Sequence, residues 1–209
     1  MTTNEALLWR YATKRMINKT VPQSTVNKII NAIHLSPSGL GLQPYEVFVI
    51  SNQEMKSEIL PIAFNQKQVA ESSHLLVFAA WDKYTDERID KVFDYLSRQR
   101  NLTSDAEGQK NSAKKYFSEI SDEAQFHHAA KQSGIALGIA VLTAALEGID
   151  ASPMEGFNPA ALDKFLGLKE KGLRSTALLA LGYRDETNDW NYKLKKVRKP
   201  LDELITIIK

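Results

Sequence analysis

Apolar positions along the chain follow two periods. Val26, Ile29, Ile30 and Ile33 recur at i, i+3, i+4, i+7, which predicts an amphipathic helix with Pro22 in its first turn, ending before Pro37. Thr3 is the expected cap of a helix carrying Ala6, Leu7 and Trp9, and Ser51 with Glu54 has capping-box spacing ahead of a helix through Ile59. Ile89, Val92, Phe93 and Leu96 mark another helical face, followed by a more polar helix around Tyr116 and Phe117. Asp122 to Leu146 reads as one long helix closed by Gly148. Its second half is apolar on all sides, so burial all round is expected, and Gly134 and Gly138 let another helix approach. A shared subunit interface is the preferred reading of that helix, and the core of a monomer would explain it too. Asn158 caps and Pro159 starts a last helix ending near Gly167.

The second period belongs to strands. Val47 to Ile50, His74 to Ala80 and Ser175 to Leu181 are short apolar runs with the look of buried strands. Leu204 to Ile208 also has strand character and lies where it can pair with a sheet edge. Buried strands scattered among longer helices imply a three-layer α/β or α+β sandwich.

Composition narrows the class. The 209 residues are 43% hydrophobic and 25% charged, an ordinary globular balance. A chain of this mass should expose roughly 9,800 Å² when folded. The absence of Cys excludes disulfides, thiol catalysis and Cys-based metal centres. A net charge of +2 does not demand a nucleic-acid or membrane partner. Met1 to Leu8 lacks a secretory pattern, and the charge-free run Ser133 to Leu146 is short for a bilayer, so a soluble, cytoplasmic protein of one domain over residues 1–209 is expected.

Candidate chemistry is dispersed. The cationic segment Arg10 to Arg15, joined by Lys196 and Arg198, has the donors to hold a phosphate, although a solvated face explains either cluster alone. Ser36 to Pro44 is a glycine-containing loop between a helix and a strand, able to bring backbone N–H groups near a flat ligand, and it fits neither a dinucleotide fingerprint nor a phosphate-binding P-loop. Pro153 to Phe157 is a second such loop, in which Met154 and Phe157 read as packing residues. Glu123 and His127 share a helical face without a nameable third metal ligand, so no metal site is expected. His34 and His74 read as core histidines.

In order, the blocks RYATKR (10–15), SPSGLGLQPY (36–45), the helix of Gln132, PMEGF (153–157) with GLKEKG (167–172), and KKVRKP (195–200) resemble the FMN-dependent nitroreductase family. That family includes oxygen-insensitive NAD(P)H nitroreductases and dihydropteridine reductases. The resemblance implies a three-layer α/β/α fold of the α+β class, a mixed, mainly antiparallel sheet, and a long central helix at a homodimer interface, with the C-terminal tail exchanged between subunits. It implies FMN as cofactor and NAD(P)H as electron donor. Arg10, Lys196 and Arg198 would bind the flavin phosphate, with Tyr11, Ala12 and Lys14 along the ribityl chain and pyrimidine edge. Pro37, Ser38, Gly39, Gly41 and Gln132 would reach the flavin from the other subunit. Pro153, Met154, Glu155 and Gly156 would pass one ring face, with a Glu155 or Gly156 N–H aimed at N5, while Asn65 and Gln68 would border the polar edge. Phe117, or its neighbour Tyr116, would line the substrate side.

The implied activity is hydride transfer from NAD(P)H through flavin N5 to nitroaromatic, quinone or pterin acceptors in ping-pong order, with no catalytic side chain required. Ala12, Gly41 and Gln68 depart from Ser, Asn and Lys of relatives. Unless Lys67 substitutes, Lys14 alone faces the N1 edge, which implies a lower flavin potential and slower reduction of poor acceptors. Two alternatives compete: a flavin-binding protein without turnover, and a nucleic-acid-binding module using Lys193 to Lys199.

Overall fold

The structure is a computed structural model that describes residues 1–101 and 105–209, without the side chains of 105 and 106. Its elements in order are α1 (Thr3–Trp9), β1 (Met16–Ile17), α2 (Gln23–His34), β2 (Tyr45–Ile50), α3 (Gln53–Ile62), α4 (Gln68–Glu71), β3 (His74–Trp81), α5 (Asp86–Arg100), α6 (Asp105–Ser118), α7 (Asp122–Leu146), β4 (Asp150–Met154), α8 (Pro159–Leu166), β5 (Leu173–Arg184) and α9 (Leu201–Leu204). Two predicted caps shift by one residue. Thr2, not Thr3, forms a capping box with Glu5, and Asn52, not Ser51, accepts from the Met55 N–H. Pro22 stands at the N-cap of α2 rather than inside its first turn.

The sheet runs β1-β5-β3-β2, with β4 also paired to β5, and every pairing among the described residues is antiparallel, with no parallel component of a mixed sheet among them. Successive residues of the central strands point to opposite faces. Leu76, Phe78, Leu179 and Leu181 pack with Val26 and Ile29 of α2 and Ala136 and Ala140 of α7. Leu75, Val77, Leu178 and Ala180 pack on the other side with Ile59 of α3 and Leu162 of α8. Those two cores make the three layers. A satellite core joins Phe93 of α5, Ala113 and Phe117 of α6 and Ala129 of α7 to Leu42 and Tyr84.

Four expectations change. β2 is an edge strand with Val49 exposed, because only β3 pairs with it. One face of α7 is buried, but Gly134, Ile135, Gly138 and Leu146 of its other face are open in the single chain. By length and composition alone α7 would cross a membrane, yet its buried stripe packs on α2 and the sheet. The tail is not a strand: Leu201–Leu204 is a short helix, and Ile205, Ile207 and Ile208 are exposed and join no sheet among the described residues. His34 is exposed at the end of α2, whereas His74 is buried with its Nδ1 2.9 Å from Ser73 Oγ. The chain exposes 12246 Å², against roughly 9,800 Å² expected of a monomer of this mass.

Candidate functional site

The nominated residues fall into two groups. In the first, Lys196 Nζ donates to the carbonyls of Leu7 and Arg10, which folds the C-terminal segment back onto the end of α1. Arg198 stands close enough to depress the basicity of both Arg10 and Lys196, although burial is the larger cause for each. Arg10 Nε is buried without a hydrogen-bond partner. Among the described residues no carboxylate forms an ion pair with Arg10, Lys196 or Arg198. Arg15 does not join them, because Glu71 takes it at 2.8 Å.

The segment behind this cluster is held rigidly. Buried Asp189 accepts from Tyr11 Oη and from the Lys14 N–H, each at 2.9 Å, through the same Oδ2. Burial and this bond hold the Tyr11 phenol far above its usual range. Asn191 donates to the Ala12 carbonyl (3.2 Å), and Ser152 Oγ to the Thr13 carbonyl (2.8 Å). Arg184 pairs with Asp150 through bonds of 2.6 and 2.9 Å, and its guanidinium lies 4.2 Å from the Trp9 ring centroid and 4.8 Å from that of Tyr11. Two aromatic rings flanking Arg10 are thereby fixed on a cation that Asp150 already neutralises.

Ser152 leads directly into Pro153 to Gly156. Met154 is buried, so its side chain belongs to the core, while Glu155 and Gly156 are exposed. The N–H groups of Glu155 and Gly156 donate to nothing among the described residues. Gln66 Nε2 donates to the Gly156 carbonyl at 2.6 Å, tying this loop to the Phe64–Gln68 turn. Gln68 is buried, its amide on Gln66 Oε1 and Met154 Sδ, both at 3.2 Å; Lys67 stays exposed. Gln66, Asp189 and Arg184 were not nominated from sequence, since a lone amide or charge in a connecting segment carries no periodic signal.

In the second group, Gly39 N–H donates to Gln132 Oε1 at 2.8 Å, and Ser38 Oγ accepts from the Gln43 N–H at 2.9 Å. Leu40 and Gln43 have positive φ (55° and 42°), as do Phe64 and Asn65 (54° and 56°). Apart from Asn101, these are all the non-glycine residues of positive φ among those described. Such strain, about 1–3 kcal/mol per residue, persists where surrounding bonds over-determine the backbone, and it concentrates at ligand sites. Phe117 is buried, stacked on Tyr84 with centroids 3.7 Å apart. Tyr116 is exposed and shares a cleft with Leu40, Gln109 and Ser112. Glu123, half of the metal pair considered above, is bound by Arg174 at 2.8 Å. No hydrogen bond or ion pair among the described residues joins the two groups.

The three-layer fold with an antiparallel sheet is shared with solved proteins, and the sequence comparison gives it a family. The chain belongs to the nitroreductase family, whose profile matches residues 7–183. It is 31% identical over 211 residues to an oxygen-insensitive NAD(P)H nitroreductase of Salmonella typhimurium, covering 95% of this chain and 96% of that one. It is 30% identical over 207 residues to the major NAD(P)H-flavin oxidoreductase of Aliivibrio fischeri, covering 95% of each. A nitroreductase structure from Exiguobacterium sibiricum in complex with FMN superposes with a TM-score of 0.84 at 19% identity, over 100% of this chain and 98% of that chain. A nitroreductase structure from Bacillus subtilis gives 0.87 at 16% identity over 98% of each. At those identities the structures speak for the fold alone.

Proposed function

We propose that the protein is an FMN-dependent oxidoreductase that takes a hydride from NADH or NADPH and passes it to nitroaromatic, quinone or pterin acceptors, working as a cytoplasmic homodimer. The observation that carries this reading is the cluster of Arg10, Lys196 and Arg198, three neighbouring cations that form no ion pair with a carboxylate among the described residues, with a buried, unpartnered Arg10 Nε. A dianionic phosphate fits that donor set. Flavin bound there supplies two-electron hydride exchange at N5.

The chain's own residues do the rest. Asp189 holds Tyr11 and Lys14 in place beside the phosphate cluster. The free N–H groups of Glu155 and Gly156 are donors for the ring's N5 side, and Gln66 fixes their loop against Asn65 and Gln68. Gln68 brings an amide where a cation would favour the reduced anion, which supports a lowered flavin potential. Pro37, Ser38, Gly39, Gly41 and Gln132 form the other half, supplied by a second copy across the open face of α7. The exposed tail Ile205 to Ile208 would cross to that copy, where a cleft of about 830 Å³ runs beside the free edge of β2, lined by Ile33, Tyr45, Val47 and Val92. Donor and acceptor would use one open ring face in turn, giving ping-pong kinetics.

The test is an absorbance spectrum of the purified protein, followed anaerobically on adding NADH and then NADPH. A yellow protein that bleaches is the expected result. A colourless protein that takes up no added FMN overturns the proposal. Bound flavin that neither nucleotide reduces would identify a flavin carrier without turnover. Salt-sensitive binding to nucleic acid in a colourless protein would move the function to Lys193–Lys199, though Lys196 is already committed to α1.

A further inference from the structure

Beside the glycine loop lies a pair of side chains that the proposed chemistry has not used. Tyr84 Oη is 2.7 Å from His128 Nδ1. Tyr84 is buried, and its hydroxyl makes no other hydrogen bond among the described residues. Burial also raises its pKa, so the phenol keeps its proton and has one acceptor to give it to, the Nδ1 of His128. Burial, helped by Lys131, lowers the pKa of His128, so the ring is neutral at pH 7. A neutral imidazole whose Nδ1 accepts carries its single hydrogen on Nε2.

That Nε2–H has no protein acceptor among the described residues. It faces the glycine loop: a Cβ on Gly39 would stand 3.5 Å from His128 Cε1 and 3.6 Å from Nε2. Gln132, one turn further along α7, holds the Gly39 N–H and donates to the His128 carbonyl at 3.3 Å. The dyad is fixed from behind as well. The Tyr84 N–H donates to Gln125 Oε1 (2.7 Å), Gln125 Nε2 donates to the Phe117 carbonyl (2.8 Å), and the Tyr84 ring stacks on Phe117.

We infer that His128, held in one tautomer by Tyr84, donates a hydrogen bond from Nε2 to the oxygen of the electron acceptor and so selects acceptors with a reducible, oxygen-bearing group such as a quinone. This rests on the flavin reading above. For a quinone, the arriving hydride adds two electrons and one proton and leaves negative charge on oxygen, and water supplies the second proton. His128 keeps its own proton throughout. A fixed donor aimed at developing charge is worth about 10²- to 10³-fold in rate at well-formed sites, and His128, half-exposed, belongs at or below the lower end of that range.

Two measurements test it. Nitrogen-15 spectra of the imidazole in the flavin-free protein should show His128 as the Nε2–H tautomer, and Tyr84→Phe should mix the two tautomers. In the flavin-loaded protein, His128→Phe should slow reoxidation by p-benzoquinone about 10- to 100-fold relative to reoxidation by ferricyanide, which takes an electron without this contact. His128→Gln, whose amide places an N–H where Nε2 stood, should restore the quinone rate to within a few-fold, and His128→Asn should not. An Nδ1–H tautomer, or an unchanged quinone rate in His128→Phe, overturns the inference. If His128→Phe fails to hold flavin, the Gln and Asn variants decide it, and equal quinone rates for those two overturn it. A wild-type protein that binds no flavin overturns the underlying reading instead, and is told apart because the tautomer signal does not depend on flavin.

Discussion

The two half-sites satisfy their polar groups in opposite ways. Around Gly39 the amides of Gln125 and Gln132 and the Tyr84 hydroxyl all have protein partners at 2.7–3.3 Å. Around Arg10 three cations stand together with no ion pair to a carboxylate among the described residues, one of their donors buried and unmatched. A matched polar surface keeps its shape whether or not a ligand is present. A cluster of like charges is completed only by an anion, and until then it costs stability. Affinity should therefore come mainly from the cationic half and orientation from the amide half.

The largest effect should follow from removing two of the cations. Arg10→Ala combined with Arg198→Ala is expected to weaken FMN binding about 10²- to 10⁴-fold, two charged hydrogen bonds being worth about 1.5–3 kcal/mol each. The flavin-free variant should melt no lower than the parent, since repulsion is relieved. Equilibrium dialysis and a melting curve check both, and undiminished flavin retention would erase the contrast between the halves.

A smaller effect sharpens the contrast by adding a cation. Gln68→Lys should raise the flavin midpoint potential, because a positive charge near N1 favours the reduced anion. A cation about 4 Å away contributes roughly 4 kcal/mol at an effective dielectric of 20, which for two electrons is at most ~85 mV. Spectroelectrochemical titration reads the shift, and an unchanged or lower potential would place Gln68 away from that edge.

The smallest effect separates the halves by pH. Burial lowers the pKa of both His128 and His74 below the ordinary 6.5. The unfolded chain therefore binds more protons than the folded one just below pH 6.5, so stability falls as pH drops through that value. The slope cannot exceed about 1.4 kcal/mol per pH unit for each histidine. Urea denaturation at pH 7.5 and 5.5 should show the loss, reduced in His128→Gln, while Arg10→Ala should leave the dependence intact.

How much of this was readable beforehand depended on where the signal resides. The bounds of α7 and α8 follow from side chains that cap locally, Asn158 accepting from the Ala161 N–H and Gly167 adopting φ 60°. At Thr2 and Asn52 two adjacent residues can each cap, and geometry rather than composition picks one. The period of Val47 to Ile50 predicts a strand without saying how many neighbours it has, so its exposure was invisible. The gathering of Arg10, Lys196 and Arg198 was legible because these cations lie in compact blocks. The clamp of Asp189 on Tyr11, across 178 residues, was not, and neither was the bond from Gln66 to Gly156. Burial of Phe117 beside exposed Tyr116 depends on the stack with Tyr84, a contact between distant segments.

The strand β5 pairs with β1, β3 and β4, all of which precede it in the chain. Without it the only strand pair left is β2 with β3. During synthesis, then, the ribosome must release residues up to 184 before the sheet can close, and nearly the whole polypeptide waits with apolar strands unpaired. Nascent chains of this protein are natural clients for chaperones, and a premature stop ahead of Leu173 yields a chain for proteolysis rather than a smaller enzyme.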